Sequence, residues 1–167
     1  GLAAFASAAE SLSGPPELLK EVRNGAAALS NRAGRWEEGR RLADRVLAAD
    51  PEDHDALVQR SNANYHLRNY ELAFGDADRA AKSAPDSGSA YTARALAASG
   101  LGDFQQTLED ARRALALDAG DQTAFSLLKL AEGRVPAAPR TDAAAAVRRE
   151  YHEMVSQLGA AEARSRR

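Results

Sequence analysis

The sequence predicts an all-α fold: a stack of helix-turn-helix repeats with a capping helix at each end. Three observations carry this reading. Trp36, Tyr70 and Phe104 stand 34 residues apart, and the residues around each recur in the same register. Within each unit the apolar and small residues follow a three-and-four spacing, as a helix burying one face requires. The chain holds 39 alanines while aromatics make up only 5% of it. Its core must therefore come from backbones approaching over small side chains.

Leu2 to Leu12 predicts the first helix. Ala4, Ala8, Leu12 and Pro16 fall on Gly39, Ala43, Leu47 and Pro51 at an offset of 35. This helix is then either the second half of an incomplete upstream repeat or an N-terminal cap. The stretch is too short for a secretory signal and lacks a basic leader. The chain opens at Gly1 and its one methionine is Met154, so a processed or excised piece is expected.

Three units follow, at about 20–53, 54–87 and 88–121. Trp36-Glu-Glu-Gly39, Ala43, Val46-Leu47 and Asp50-Pro51 recur as Tyr70-Glu-Leu-Ala73, Ala77, Ala80-Ala81 and Ala84-Pro85. They recur again as Phe104-Gln-Gln-Thr107, Ala111, Ala114-Leu115 and Asp118-Ala119. Breaks at Ala33-Gly34-Arg35, Arg68-Asn69 and Gly102-Asp103 divide each unit into two helices, with Gly and Asn expected in the left-handed conformation. Pro51 and Pro85 end second helices, because the residue before proline leaves the helical region. Asp53, Ser87 or Ser89, and Asp121 are expected to cap the helix that follows. Small residues at Gly39, Ala73 and Thr107, and at Ala43, Ala77 and Ala111, permit close approach, with the aromatics filling the wedge beside them. A two-helix unit cannot bury its apolar face alone, so the units stack.

A paired change supports the alignment. Arg60 and Arg94 share one place in units two and three, and Asp76 and Asp110 share another; unit one has Ala26 and Leu42 there. Both places switch together from ionic to apolar, as residues in contact would. The pairs are expected to be semi-exposed, each contributing at most about 1 kcal/mol.

Asp121 to Ala131 predicts a helix ended by Gly133, at the place where a fourth unit would begin. It suits the polar-faced cap that an open stack needs. The repeat domain then covers 1–133, and 134–141 reads as a semi-stiff Pro/Ala linker. Residues 142–167 form an amphipathic helix with a basic tail that complements its dipole. In that helix Ala144, Val147, Tyr151, Met154, Leu158 and Ala161 make a coiled-coil-like seam. Val147, Tyr151, Met154 and Leu158 are its expected interface. The seam can fold back on the repeats, dock on another chain, or pair residues 142–163 in a homodimer.

These units resemble tetratricopeptide (TPR) repeats. Gly34-x-Trp36, Gly39, Val46 and Pro51 fit that family's pattern, as do Tyr70, Ala73, Ala80 and Pro85, and then Gly102-x-Phe104 and Ala114. The match covers Lys20 to Ala119; Thr107, Ala119 and Arg68 depart from it, the last standing where the turn glycine belongs. The resemblance implies a right-handed superhelix whose first helices line a concave groove for a protein or peptide partner. Carried over residue by residue, the groove receives Glu21, Asn24, Gly25, Ala28, Asn31 and Arg32 from unit one. Unit two gives Asp55, Val58, Gln59, Asn62, Tyr65 and His66. Unit three gives Ser89, Thr92, Ala93, Leu96, Ser99 and Gly100. The expected binding residues are Asn24, Asn31, Val58, Gln59, Asn62, Tyr65, His66, Thr92 and Leu96. Side-chain amides both donate and accept, so Asn24, Asn31, Gln59 and Asn62 could hold a peptide backbone, and Tyr65 adds apolar area with a polar tip. The family's chaperone-binding members grip a terminal carboxylate with Lys and Arg, where this chain has Asn24, Ser89 and Ala93. A chaperone tail is not the expected ligand.

Other functions are disfavoured. Lys plus Arg number 22 against 24 Asp plus Glu, a formal charge of −2, which does not suit a nucleic-acid binder. No cysteine is present, so thiolate zinc sites and Cys nucleophiles are excluded. His152-Glu153 opens like a zincin motif, yet Ser156 stands where its second histidine belongs. Gly100-Leu-Gly102 lacks the third glycine and the strand of a dinucleotide motif. No apolar run approaches the ~20 residues of a membrane span. No cofactor, metal or catalytic residue is expected. The chain reads as a soluble, non-catalytic scaffold, cytoplasmic or periplasmic/secreted. A self-assembling module, or a regulatory segment of a larger protein, stands as the alternative.

Overall fold

Eight helices run from Leu2 to Glu132 in the computed structural model, which describes residues 1–135. They are α1 (Leu2–Ser11), α2 (Pro16–Arg32), α3 (Trp36–Ala49), α4 (His54–His66), α5 (Tyr70–Ser83), α6 (Gly88–Leu101), α7 (Phe104–Leu117) and α8 (Gln122–Glu132). No strand occurs among the described residues. The expected seam helix, with Val147, Tyr151, Met154 and Leu158, and most of the expected linker lie outside them.

Each unit is a helical hairpin closed in one way. Gly34, Arg68 and Gly102 hold φ of 75°, 65° and 80°. The next residue then reaches back five places: Arg35 N–H to Ser30 O at 2.8 Å, Asn69 to Asn64 at 2.8 Å, and Asp103 to Ala98 at 3.0 Å. This left-handed closure satisfies carbonyls that the helix end leaves over. In unit two the left-handed residue is Arg68, not Asn69, whose φ is −90°. A side chain with a Cβ is strained there, yet the hairpin geometry imposes the conformation on whichever residue occupies the place. Asp53, Ser87 and Asp121 cap α4, α6 and α8 by accepting backbone N–H groups, and Asp103 caps α7 likewise. α2 begins at Pro16, four residues before Lys20, because proline's fixed φ suits the first helical position. α7 stops at Leu117 although Ala119 stands where the earlier units have proline.

The helices meet through alanine. Ala43, Ala56, Ala77, Ala80 and Ala90 have no exposed surface and form the central cluster with Val46, Leu47, Leu57 and Val58. Each first helix packs on its own second helix and on the first helix of the next unit, whereas successive second helices do not touch. First helices therefore line the inside of the curve.

α1 behaves as a cap. It packs on both α2 and α3, a relation no second helix has with the second helix of the next unit. It buries Ala6 and Ala9, while Ala4, Ala8 and Leu12 are exposed. The offset of 35 therefore does not mark its contact face. Arg23 ties down its end by donating to the carbonyls of Ala9 and Leu12, both at 3.2 Å.

The expected arginine pairs form, with a second partner each. Arg60 grips Asp76 with two hydrogen bonds of 2.8 and 2.7 Å and donates from Nη1 to Asp44 of the preceding unit at 2.9 Å. Arg94 does the same with Asp110 (2.9 and 2.8 Å) and Asp78 (2.8 Å). The side chains of Asp76 and Asp110 are only 9% and 4% exposed while Arg60 and Arg94 keep 24% and 17%, so the pairs are partly buried, driest at the carboxylate. Breaking a pair that far from water costs more than the surface value, on the order of 3 kcal/mol. Hydrogen bonds to Asp76 and Asp110 outweigh burial and, with Asp44 and Asp78, raise both guanidinium pKa values. Burial works against ionisation of Asp78, but Lys82 and Arg94 together hold its carboxyl below the usual range. The ladder ends in apolar residues, Ala26 on α2 and Leu128 on α8, at the same places in the period.

Arg68→Gly tests the turn. Relief of a left-handed non-glycine residue is worth about 1–2 kcal/mol and glycine's added entropy takes back about half. The expected net gain is about 1 kcal/mol, a rise of about 2–4 °C in Tm read by circular dichroism.

Candidate functional site

The inner face of the stack holds a cavity of about 450 Å³. Ala28, Asn31 and Arg32 of α2 form one wall with Trp36 at the start of α3. Val58, Gln59, Asn62 and His66 of α4 form the floor. Ser89, Thr92, Ala93 and Leu96 of α6, with Asp121 and Thr123 at the start of α8, close the far side. A second hollow of about 490 Å³ adjoins it, lined by Lys20, Glu21, Asn24, Gly25, Asp53 and Asp55, and shares Ala28 and Gln59 with the first. The two make one groove across the first helices.

Seven of the nine expected binding residues meet at the first cavity: Asn31, Val58, Gln59, Asn62, His66, Thr92 and Leu96. Asn24 lies in the adjoining hollow. Tyr65 lines neither; its ring meets His66 edge-on at 5.2 Å and Tyr70 at 5.5 Å.

The amides divide into two kinds. Asn24 donates to Asp53 Oδ1 at 2.9 Å, and Asn31 donates to the Gln59 carbonyl at 2.9 Å and to its side-chain oxygen at 3.2 Å. Their donors clasp α2 to α4 and are not open to a peptide. Their Oδ1 atoms are buried without a partner. Asn31 is only 5% exposed and its Oδ1 sits against Gly39, which has no Cβ to block it. Asn62 makes no side-chain hydrogen bond among the described residues, and the Gln59 NH₂ is unspent. The Thr92 hydroxyl lies 2.6 Å from Asp121, whose other oxygen accepts the N–H groups of Thr123 and Ala124, both at 2.9 Å.

Trp36 does more than fill a wedge. Its ring stacks on His66 at 3.7 Å and 8°. That cover desolvates the imidazole and holds its pKa below the ordinary histidine value. The same relation recurs 30 residues apart in each unit. Tyr70 lies so close to Gly100 that a Cβ there would overlap the ring, and Arg134 places its guanidinium 4.7 Å over Phe104. Sequence reasoning read Trp36 as filler and Asp121 only as a cap, and it stopped the units at residue 121. Carrying the 34-residue step on from Asp53 and Ser87 to Asp121 would have placed that carboxylate at the groove.

Among the described residues one serine–histidine contact occurs, Ser87 Oγ to His54 Nε2 at 2.9 Å. The hydroxyl already caps α6 by accepting from Ala90 N–H, and His54 Nδ1 is buried with no carboxylate behind it. The orienting member of a hydrolytic triad is therefore missing. Among the described residues no cluster of three or more His, Asp or Glu side chains could hold a metal, and no helix is long and apolar enough to cross a membrane.

No family model matches the sequence, and no curated protein matches it. Solved structures do. The first TPR domain of human RPAP3 superposes with a TM-score of 0.65 at 20% identity, over 71% of this chain and 93% of that domain. The second TPR domain of human RPAP3, solved with an HSP70 peptide, gives 0.62 at 21%, over 71% and 98%. A Thermobaculum terrenum O-GlcNAc transferase gives 0.66 at 22%, over 72% of this chain but 23% of the enzyme. The fold is that of the tetratricopeptide repeat. In TPR terms α2–α3, α4–α5 and α6–α7 are the three hairpins, and α8 stands as the first helix of a fourth.

Gly100→Ala probes how the aromatic of one TPR hairpin rests on the next. Alanine gains about 1 kcal/mol in helix propensity, but moving the Tyr70 ring costs about 1–3 kcal/mol. Urea unfolding should show a net loss of about 1 kcal/mol.

Proposed function

We propose that this chain is a non-catalytic interaction adaptor that takes a peptide or helix of a partner protein into its concave groove. The carrying observation is the groove itself: two joined hollows on the inner face, with Val58, Ala93 and Leu96 as apolar lining and the Asn62 amide and Gln59 NH₂ unspent among the described residues. Pockets that combine an apolar lining with a few convergent polar groups are the usual form of a binding site. The second TPR domain of human RPAP3 was solved with an HSP70 peptide, and its likeness in fold supports a peptide as the ligand class. The same chaperone tail is not proposed here, because Asn24, Ser89 and Ala93 offer no cation to a terminal carboxylate.

The single tryptophan, Trp36, lines the cavity and reports on it. Peptides selected on the full chain from a random display library should change its fluorescence on titration. Asn62→Ala removes a side chain with no internal partner, so stability should hold while affinity falls about tenfold, the value of one lost hydrogen bond. Unchanged affinity with an intact fold would count against the groove.

A further inference from the structure

We infer that the groove selects an extended peptide carrying a basic and an acidic side chain five residues apart, with an apolar residue between them. This rests on the peptide-binding reading above.

The charges in the groove are arranged at its two ends. In the adjoining hollow Lys20 is already surrounded by Glu17, Asp50 and Asp53 at 3.4, 3.5 and 3.6 Å. Asp53 is spent on the cap of α4 and on Asn24. Glu21 and Asp55 are left. Glu21 forms no ion pair among the described residues, and Asp55 has only His54 Nε2 at 3.9 Å, a nitrogen engaged by Ser87. Beside them the buried Asn24 Oδ1 lacks a donor. Apart from the Gln59 NH₂ at the border with the first cavity, this end therefore offers acceptors, which is the complement of an ammonium or guanidinium group.

The opposite end has the reverse character. Arg32 is exposed, lines the first cavity beside Trp36, and forms no ion pair among the described residues. A guanidinium presents two parallel N–H groups to a carboxylate. Asp121, across the cavity, does not compete for it, because Thr92 and the α8 cap occupy both its oxygens. Between the two ends, α2 lines the hollows with Gly25 and Ala28, and Val58 of α4 lines the cavity facing them.

The helix sets the spacing. Glu21 and Arg32 both belong to α2, eleven residues apart, or about 16 Å at 1.5 Å per residue. An extended chain covers that in about five residues at 3.3 Å each.

The test uses the full chain and a capped decapeptide with Lys at position three, Leu at six and Glu at eight, otherwise Gly, Ser and Ala. Trp36 fluorescence should report binding about fivefold tighter than for peptides with Gln at either charged place, the value of one partly exposed pair. Arg32→Glu should reverse the preference, so that a peptide with Lys at both places binds better than the original; Glu21→Lys should favour Glu at both. Urea unfolding of each variant confirms the fold. If all peptides bind alike, and Asn62→Ala weakens them alike, charge selection is overturned and the groove reading stands. If neither these peptides nor display-selected ones alter Trp36, both are overturned.

Discussion

How closely two helices pack depends on the side chains between them, and in this chain most of those side chains are alanines with no exposed surface. Alanine loses no rotamer freedom on burial, so the contacts form at little entropic cost. They also discriminate poorly, since one alanine fits against a helix much like another. Register must be set by other groups. The left-handed turns at Gly34, Arg68 and Gly102 fix the angle within each hairpin. Trp36, Tyr70 and Phe104, each resting on a residue of the following unit, fix the step between hairpins. Arg60 and Arg94 join three successive helices by binding a carboxylate on either side.

The groove is a consequence of this arrangement. First helices touch each other and second helices do not, so the inner face is continuous and concave. Its clasps are polar. Asn24 and Asn31 hold α2 to α4, and Thr92 with Asp121 holds α6 to α8. The residues left over, Arg32, Asn62, Glu21 and Asp55, carry their polar groups toward the hollows without internal tasks of that kind. On the proposed function, stability and recognition draw on the same helix face but on different residues of it.

Much of the fold was legible because a 34-residue period survives in residue type: the aromatic and the cap keep their place in all three units, and the proline in two. The Arg–Asp pairs were legible because two positions changed together. What was hidden depended on partners outside the period. Arg68 occupies the left-handed place because the hairpin demands it, and no propensity of arginine announces that. Whether an asparagine is a clasp or a free ligand depends on Asp53 and Gln59, which lie 29 and 28 residues away. α1 kept an alanine-rich composition that several offsets fit equally, and only its contacts with α2 and α3 chose Ala6 and Ala9 as the buried pair.

The most direct measurement is the stability of Ala77→Leu against Ala116→Leu, by urea unfolding. Ala77 is fully buried in the central cluster, and Ala116 is an exposed alanine on α7. If alanine-sized contacts set the helix separation, leucine at 77 forces the helices apart and costs about 1–3 kcal/mol, while leucine at 116 changes stability by less than about 0.5 kcal/mol. Equal stability of the two variants, or a gain at 77, would contradict close packing over alanine as the basis of the stack.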